Sequence, residues 1–322
     1  MTDWQLQTPV AFLIFNRPDT TARVFAEICR ARPPKLLVVA DGPRPDRVGE
    51  AEKVAATRAI VEQVDWPCEV LKNYSDINLG CRRRVSSGLD WVFQTVEEAI
   101  ILEDDCLPHP TFFRFCEELL EKYRNDERVM HINGSNYQFG RKCGEASYYF
   151  SHYTHIWGWA SWRWAWRHYD VDIKNWTALK NKDEFLWIFS CRAERIFWRA
   201  MWDKVAAGKI DTWDYQWSFA CLTQNALGIA PNVNLISNIG FGSDSTHTTG
   251  VSMIADMPTV AMEFPLVHPR VFIWDDEADE HTGKLFFRMP NIIKRVVARV
   301  KCIVFNRMHL YMKCIGGWRN AL

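Results

Sequence analysis

The stretch AIILEDDCLPHPTFF, residues 99–113, decides how the first half of the chain is interpreted. It opens with an apolar run (99–102) that has the length and composition of a buried strand. Three consecutive acids, Glu103, Asp104 and Asp105, follow directly. Like charges repel one another, so three carboxylates at the end of a buried element indicate that they hold something positive.

Strand-like and helix-like segments alternate on both sides of this stretch. The apolar runs predict strands and the segments of helical periodicity predict helices: strands at 10–15, 35–43, 68–74 and 99–102, and helices at 20–31, 47–64, 80–96 and 111–123. Alternation at this spacing predicts an α/β fold with a parallel sheet covered on both faces. Ligands of such sheets bind at the carboxyl ends of the strands, where we expect the acids to lie.

The second half of the chain is less regular. A Trp-rich stretch (157–166) precedes a predicted helix (183–206) and a loop rich in Gly, Ser and Thr (240–250). Within the Trp-rich stretch, Trp159, Trp162 and Trp166 have the spacing of one helical face, which predicts a core stripe. We find no internal repeat and no flexible linker, so we expect one compact body.

Composition narrows the class of protein. The chain has 322 residues, 48% hydrophobic and 24% charged, with a formal net charge of zero. This allows a large core and gives no reason to expect a nucleic-acid partner. Its ten cysteines include no C-x-x-C pair, and the start MTDWQLQTPV has no secretory pattern, so we expect a cytoplasmic protein with reduced thiols.

The carboxyl-terminal segment has a different charge. After Glu280 the sequence contains nine Lys or Arg and no acid, and residues 284–322 mix these cations with apolar residues. The segment is too interrupted to span a bilayer. We expect a basic amphipathic tail, 281–322, that contacts an anionic membrane surface from the cytoplasmic side. The alternative is a helix that packs on the body and exposes a basic edge.

The acidic triplet suits a hard divalent cation. Mg²⁺ and Mn²⁺ prefer oxygen ligands and usually take one or two carboxylates together with water and substrate phosphates. If the strand conformation continues, Glu103 and Asp105 point to one side of the strand and Asp104 to the other. The alternative is a solvated acidic turn that caps the following helix.

The segment ILEDDCLPHPTFFRF resembles the metal-site segment of the animal alpha-1,3-mannosyl-glycoprotein N-acetylglucosaminyltransferase I family. FLIFNRP and RRRVSSGLDWVF resemble segments before it, and WDYQW and NLISNIGFGSDSTHT resemble its acceptor motif and donor loop. The resemblance covers roughly residues 9–250 in patches. It implies a GT-A glycosyltransferase domain over residues 1–280, with a nucleotide-sugar-binding half (1–125) and an acceptor-binding half (126–280).

The resemblance implies a role for each residue at the strand ends. Asp105 matches the carboxylate that contacts Mn²⁺, with Glu103 and Asp104 supporting it around the donor ribose and metal-bound water. Asp41 matches a residue that reads the uracil ring, with an Asp-Gly turn as the alternative. Arg17 matches an arginine near the nucleotide.

Two further donor contacts depart from the family pattern. Arg84 stands where the family has a nucleotide-contacting histidine, and the run 82–84 is either a source of charge for the diphosphate or a solvated helix face. In the donor loop, the resemblance implies that Ser245, Thr246 and His247 contact the diphosphate and sugar. The spacing of this loop differs from the family by about one residue, and His247 as a metal ligand is a weaker alternative.

On the acceptor side, Asp214 matches the Asp thought to take the proton from the acceptor hydroxyl. Asp211 is the rival for this role, and a helix cap is the alternative for Asp214 itself. Trp157 and Gly158 match a turn beside the acceptor, and Trp213 belongs to the acceptor motif.

The resemblance therefore predicts an inverting, Mn²⁺- or Mg²⁺-dependent transferase. It moves a sugar from a nucleotide-diphospho-sugar, UDP-linked such as UDP-GlcNAc, to a glycan or lipid-linked acceptor in surface polysaccharide synthesis. Rival interpretations are a sugar-phosphate nucleotidyltransferase, a catalytically silent carbohydrate-binding protein, and a glycosidase that would need two opposed carboxylates.

Overall fold

The computed structural model describes residues 4–182, 189, 191–241 and 254–287. The predicted helix at 183–206 appears as a helix over Arg192–Ala206. The donor-loop residues Ser245, Thr246 and His247 lie outside the described ranges.

The first half has the predicted alternation of strands and helices. The elements in chain order are β1 (Val10–Ile14), α1 (Pro18–Ala31), β2 (Lys35–Ala40), α2 (Glu50–Ile60), β3 (Glu69–Tyr74), α3 (Gly80–Thr95), β4 (Glu98–Glu103), β5 (Cys106–Pro108) and α4 (Thr111–Lys122). The four predicted strands and four predicted helices are all confirmed, with ends that differ by a few residues. A short 3₁₀ turn, Val61–Gln63, extends α2.

The second half adds strands and shorter helices. In chain order these are β6 (Val129–Asn133), β7 (Tyr148–Ser151), β8 (Trp159–Trp162), α5 (Arg163–Trp166), α6 (Trp176–Leu179), α7 (Arg192–Ala206), α8 (Asp214–Thr223), β9 (Leu227–Pro231), β10 (Ile236–Asn238) and α9 (Asp276–Phe286).

Eight of these strands form one central sheet in the order β3-β2-β1-β4-β8-β6-β9-β7. The first four strands in that order are parallel, as predicted, and β8 and β7 run against the others. The carboxyl ends of β1, β2 and β4 therefore lie at one edge. Strands β5 and β10 pair separately as a small antiparallel ladder.

The core lies on both faces of this sheet. In β1, Val10 and Phe12 face a cluster that includes α1 and α4, whereas Ala11 and Leu13 face a cluster that includes α3 and α8. A strand buried on both faces requires apolar residues at every position, which explains why its sequence is a continuous apolar run. The structure thus confirms the predicted α/β class with a mixed, mainly parallel sheet.

The tryptophans at 159, 162 and 166 are buried, but the predicted helical stripe is wrong. Trp159 and Trp162 belong to strand β8, and only Trp166 lies in a helix. Residues three apart in a strand point to opposite faces, so Trp159 packs in one core cluster and Trp162 in the other. Pairing of β8 with β4 and β6 overrides the helical spacing.

Helix α9 crosses the expected boundary between residues 280 and 281. The carboxylate of Asp279 accepts hydrogen bonds from the Ser151 hydroxyl (2.5 Å) and the His152 backbone N–H (2.9 Å). The ring of Phe287 packs 4.8 Å from that of Trp198. The helix therefore belongs to the body. Residues 288–322 lie outside the described ranges, so the proposed membrane contact of the tail remains a prediction.

Two further observations concern the helices and the cysteines of the described residues. Among the described residues, no helix has both the length and the apolar character needed to cross a bilayer. The eight cysteines in the same ranges are all free thiols.

Candidate functional site

The acidic triplet lies where β4 ends. Glu103 is the last residue of the strand, and Asp104 and Asp105 form a turn before β5. The expected alternation of side chains therefore does not continue past Glu103, because the chain turns there. One Asp104 oxygen accepts the backbone N–H of Phe15 at 3.0 Å, which joins the ends of β4 and β1.

Arg17 follows β1 and points at the two aspartates. Its Nη1 lies 2.6 Å from Asp105 Oδ2 and 3.8 Å from Asp104 Oδ1. The Arg17 side chain is 18% exposed and that of Asp105 is 15% exposed, so the pair is shielded but still reachable from solvent. The structure thus brings together the two segments that the sequence placed at neighbouring strand ends.

Glu103 is the member of the triplet that has a buried carboxylate oxygen without a hydrogen-bond partner among the described residues. Its Oε1 is shielded from solvent and makes no hydrogen bond with the described residues. The pKa of Glu103 is raised, first by burial and then by the charges of Asp105, Asp104 and Asp214, with Arg17 acting against them. A buried carboxylate among others favours either a proton or a bound cation.

The pKa of the Cys81 thiol shows how many acids converge here. It is raised first by burial, and then by the charges of Glu103, Asp211, Asp214 and Asp41. These carboxylates come from the ends of β2 and β4 and from the second half of the chain. Their combined field attracts cations to this edge of the sheet.

Asp214, the predicted general base, is the first residue of α8. Its Oδ1 accepts a hydrogen bond from the Thr212 hydroxyl. Asp214 lies close enough to Glu103 to raise that residue's pKa, so the predicted base and the predicted metal segment occupy the same region.

Asp211, the rival base, has a different environment. Its two oxygens accept the backbone N–H groups of Cys81 (3.1 Å) and Arg82 (3.0 Å) in the first turn of α3. A carboxylate that binds two helix N–H groups stabilises the helix terminus. We therefore assign Asp211 to the cap of α3 rather than to proton transfer.

Asp41 is also fixed by internal donors. Its oxygens accept N–H groups from the backbones of Gly42 (2.9 Å), Leu79 (2.9 Å) and Gly80 (3.2 Å), and from the Asn78 side chain (3.0 Å). Burial raises the pKa of Asp41, and the three backbone hydrogen bonds oppose that rise. These contacts favour the turn-and-cap role over uracil recognition, which remains a prediction.

Two of the three arginines in the predicted cationic run, 82–84, bind other groups of the protein. The Nη2 of Arg84 donates to Asn73 O and Oδ1, both at 2.7 Å, and burial lowers the pKa of the Arg84 guanidinium. Arg82 pairs with Asp172 at 2.8 Å, whereas Arg83 is exposed. The donor role expected for Arg84 does not agree with this burial, because its guanidinium holds the β3 end.

The three acceptor-side residues lie in different environments. Trp157 is half-buried, and its ring lies 5.6 Å from that of Phe241. Gly158 packs against the Ile236 side chain. The Trp213 ring is only 2% exposed and stacks 5.7 Å from Trp159, so it belongs to the core and offers no ring face to an acceptor.

Gly240 is a site residue that the sequence did not single out. A Cβ at this position would overlap Asp105 Oδ2 and lie 2.8 Å from Asp105 Cβ, so a larger residue would displace that carboxylate. The neighbouring Ile239 N–H donates to the Asp105 carbonyl at 2.9 Å. The first residue of the predicted donor loop, Gly240, therefore lies directly beside Asp105. A Gly in a Gly-rich loop carries no sequence signal for this contact.

The carboxylates fit a divalent cation by their chemistry. The described ranges contain no cluster of three or more His, Cys, Asp or Glu residues arranged to hold a metal ion by themselves. Mg²⁺ and Mn²⁺ do not need one, because they bind through one or two carboxylates and substrate phosphates. Asp105 and the unpartnered Oε1 of Glu103 supply oxygens of this kind.

No protein-family model and no curated protein matches the chain. Solved structures that resemble this chain include a UDP-glucose pyrophosphorylase complexed with UDP-glucose. It has 9% identity and a TM-score of 0.36, and the match covers 70% of this chain and 90% of that one. A 4-diphosphocytidyl-2C-methyl-D-erythritol synthase from Anaerococcus prevotii has 10% identity and a TM-score of 0.35, covering 69% and 87%. HddC from Yersinia pseudotuberculosis has 7% identity and a TM-score of 0.32, covering 51% and 80%.

At these identities and TM-scores, none of the three assigns a function to this chain. The resemblance to the N-acetylglucosaminyltransferase I family gains no support from them and remains a prediction.

Proposed function

We propose that the protein is a metal-dependent glycosyltransferase that uses a nucleotide-diphospho-sugar as donor. The observation that carries the proposal is the convergence of Glu103, Asp104, Asp105 and Asp214 at the carboxyl ends of β1 and β4, with a buried oxygen of Glu103 left without a partner among the described residues. Such a cluster is stable only when a cation or a proton neutralises it.

Asp105 is the residue proposed to hold the cation, with Glu103 beside it. When bound, Mn²⁺ or Mg²⁺ supplies positive charge that stabilises the departing diphosphate. Arg17 lies within reach of the same region and adds a guanidinium, which pairs well with phosphate oxygens.

Asp214 is proposed as the general base. In a single displacement, the acceptor hydroxyl oxygen forms a bond to the anomeric carbon as the bond from that carbon to the diphosphate breaks. The proton passes to Asp214, and the bonding electron pair leaves with the nucleoside diphosphate. One carboxylate suffices for this step because the leaving group needs no protonation, and the configuration at the anomeric carbon inverts.

The finer assignments are part of the same proposal. We propose a UDP-linked hexose or N-acetylhexosamine as donor and a glycan or lipid-linked acceptor, with Trp157 and Gly158 near the acceptor. The family resemblance motivates both choices.

The test is to follow phosphorus products by ³¹P NMR in the presence of Mn²⁺. One reaction contains a panel of nucleotide sugars with candidate acceptors, and the other contains nucleoside triphosphates with sugar 1-phosphates. Release of a nucleoside diphosphate in the first reaction supports the transferase. Release of pyrophosphate in the second would replace it with a nucleotidyltransferase.

Variants complete this test. Asp105→Asn and Asp214→Asn should both lower nucleoside diphosphate release by about a hundredfold or more. Asp126→Asn should not, because Asp126 pairs with Arg128 and is not part of the acidic cluster. No product in either reaction, across the whole panel, would favour the silent carbohydrate-binding protein.

A further inference from the structure

A short segment beside the edge of the central sheet, residues 270–276, forms a distinct surface that we call the edge segment. Strand β7 is the last strand in the order of the sheet, and Trp274 lies next to it in a parallel bridge with Phe150. The Asp275 N–H donates to the Phe150 carbonyl at 2.9 Å, which anchors the segment. The edge segment therefore flanks the outer side of β7.

The side chains of the edge segment alternate between the body and the solvent. The Phe272 ring packs 4.3 Å from the Phe150 ring. Val271, Ile273 and Trp274 are 66%, 61% and 45% exposed. An inward side chain between two outward ones is the pattern of extended backbone. Large apolar side chains exposed together at the edge of a sheet are typical of an interaction surface.

Charged residues of opposite sign stand at the two ends of the edge segment. Arg270 precedes the apolar residues and Asp276 follows them, and both are exposed. When two copies of the segment lie antiparallel, each Arg270 comes opposite the Asp276 of the other copy, and the apolar residues meet between them. Opposite charges across an antiparallel pair stabilise it, and a two-fold axis creates both pairings at once.

This arrangement of charges favours a second copy of the chain as the occupant of the surface. The basic carboxyl-terminal segment is the other candidate within the chain, and after Glu280 it contains nine Lys or Arg and no acid. Such a segment would attract Asp276 but repel Arg270. The edge segment of a second copy complements both charges, and a partner is selected by what it repels as well as by what it attracts.

We propose that the protein forms a two-fold symmetric dimer in which the edge segments of two copies pair antiparallel. Val271, Ile273 and Trp274 form the apolar centre of the interface, and the two pairs of Arg270 with Asp276 flank it, as in interfaces with an apolar core and a polar rim. Strand β7 lies four strands from β4, about 19 Å at the usual strand spacing. The dimer does not depend on the proposed function.

Sedimentation velocity of the full chain from about 1 to 100 μM measures the dimer, because this range covers micromolar dissociation constants. Wild type should dimerise within it. Ile273→Asp places a charge in the apolar centre and should weaken association by about tenfold or more. The control is Val48→Asp, which changes a fully exposed apolar residue in the loop between β2 and α2 and should dimerise as wild type does. Far-UV circular dichroism checks that each variant is folded.

Charge variants test the antiparallel arrangement itself. Arg270→Asp alone and Asp276→Arg alone each place like charges opposite one another, so each should weaken association by about tenfold or more. An equal mixture of the two variants should restore dimers, because every pair between unlike copies then has opposite charges. Misfolded variants could not give this rescue.

Three results would overturn the proposal. Wild type that stays monomeric at the highest concentration leaves the edge segment to another occupant, such as the basic carboxyl-terminal segment. A dimer that persists in Ile273→Asp is formed through a different surface. Charge variants that associate no better when mixed than when alone refute the antiparallel pairing.

Discussion

Asp211 accepts hydrogen bonds from the backbone N–H groups of Cys81 and Arg82, which lie about 130 positions earlier in the chain. The contact joins the second half of the protein to the first turn of α3. It requires a glycine at position 80, because a Cβ there would lie 2.8 Å from Asp211 Oδ2. A single carboxylate thus fixes the helix beside the acidic cluster.

Replacing Asp211 should cost stability more than chemistry. Asp211→Ala removes the acceptor for two helix N–H groups, and the free energy of unfolding should fall by about 1–2 kcal/mol. Asp211→Asn keeps an acceptor and should lose less. Urea denaturation of the three proteins measures the difference, and equal stability of Asp211→Ala and wild type would refute the cap.

Asp214 should show the opposite pattern. Asp214→Asn keeps the size of the side chain but removes the base, so nucleoside diphosphate release should fall by ~10²–10⁴-fold. The urea midpoint should change little. A variant with full activity would move the base to another residue, and the paired Asp211→Asn protein shows whether that residue is the rival.

Gly240 should be intolerant of a side chain. In Gly240→Ala the new Cβ would overlap Asp105 Oδ2, so the carboxylate must move, and the affinity for UDP with Mn²⁺ should fall by about tenfold or more. Gly208→Ala is the control, because its Cβ meets no atom within 4 Å, although its φ of 64° adds backbone strain. Isothermal titration calorimetry compares the two. Equal affinity would show that Asp105 is not held by this contact.

The environment of His131 predicts how the stability of the protein depends on pH. Its ring is buried and stacks 5.1 Å from that of Trp159. Nδ1 accepts the Trp217 indole N–H at 3.0 Å, and Nε2 donates to the His155 carbonyl at 3.0 Å. Both ring nitrogens are satisfied in the neutral form, and burial lowers the pKa of His131 to about 4.

The direction of the pH dependence follows from the difference between the pKa of His131 in the folded and in the unfolded protein. The unfolded histidine has a pKa of about 6.5, so the contribution of His131 is complete above that pH and declines as the pH falls towards 4, by up to about 3 kcal/mol. The half-buried His155, whose pKa desolvation lowers to about 3, acts in the same direction. The stability of wild type should therefore decline more steeply between pH 6.5 and 5 than that of His131→Gln. Parallel curves of unfolding free energy would contradict this.

The first half of the fold was predictable because its strands are buried on both faces. Continuous apolar runs such as that at 10–14 leave no doubt about a strand, and the helices between them have clear periodicity. The Trp-rich stretch misled the prediction, because Trp159 and Trp162 have helical spacing in a segment that pairs as a strand. Strand pairing between distant segments carries no local signal.

The same limit applies to the candidate site. The strand ends predicted that Arg17 and the acids at 103–105 would meet, and they do. The sequence could not show that Asp211 caps α3 or that Gly240 packs on Asp105, since both contacts join segments more than 100 residues apart. It also could not show that Arg84 turns away to bind the end of β3.

The most direct test of the central claim is calorimetric binding of UDP, GDP, CMP and dTDP sugars, each with and without Mn²⁺. The proteins are wild type, Asp105→Asn and the control Asp126→Asn. We predict that one nucleotide class binds wild type and the control only when Mn²⁺ is present, and that Asp105→Asn loses this binding. Binding that ignores Mn²⁺, or that survives in Asp105→Asn, would contradict a metal-dependent transferase centred on Asp105.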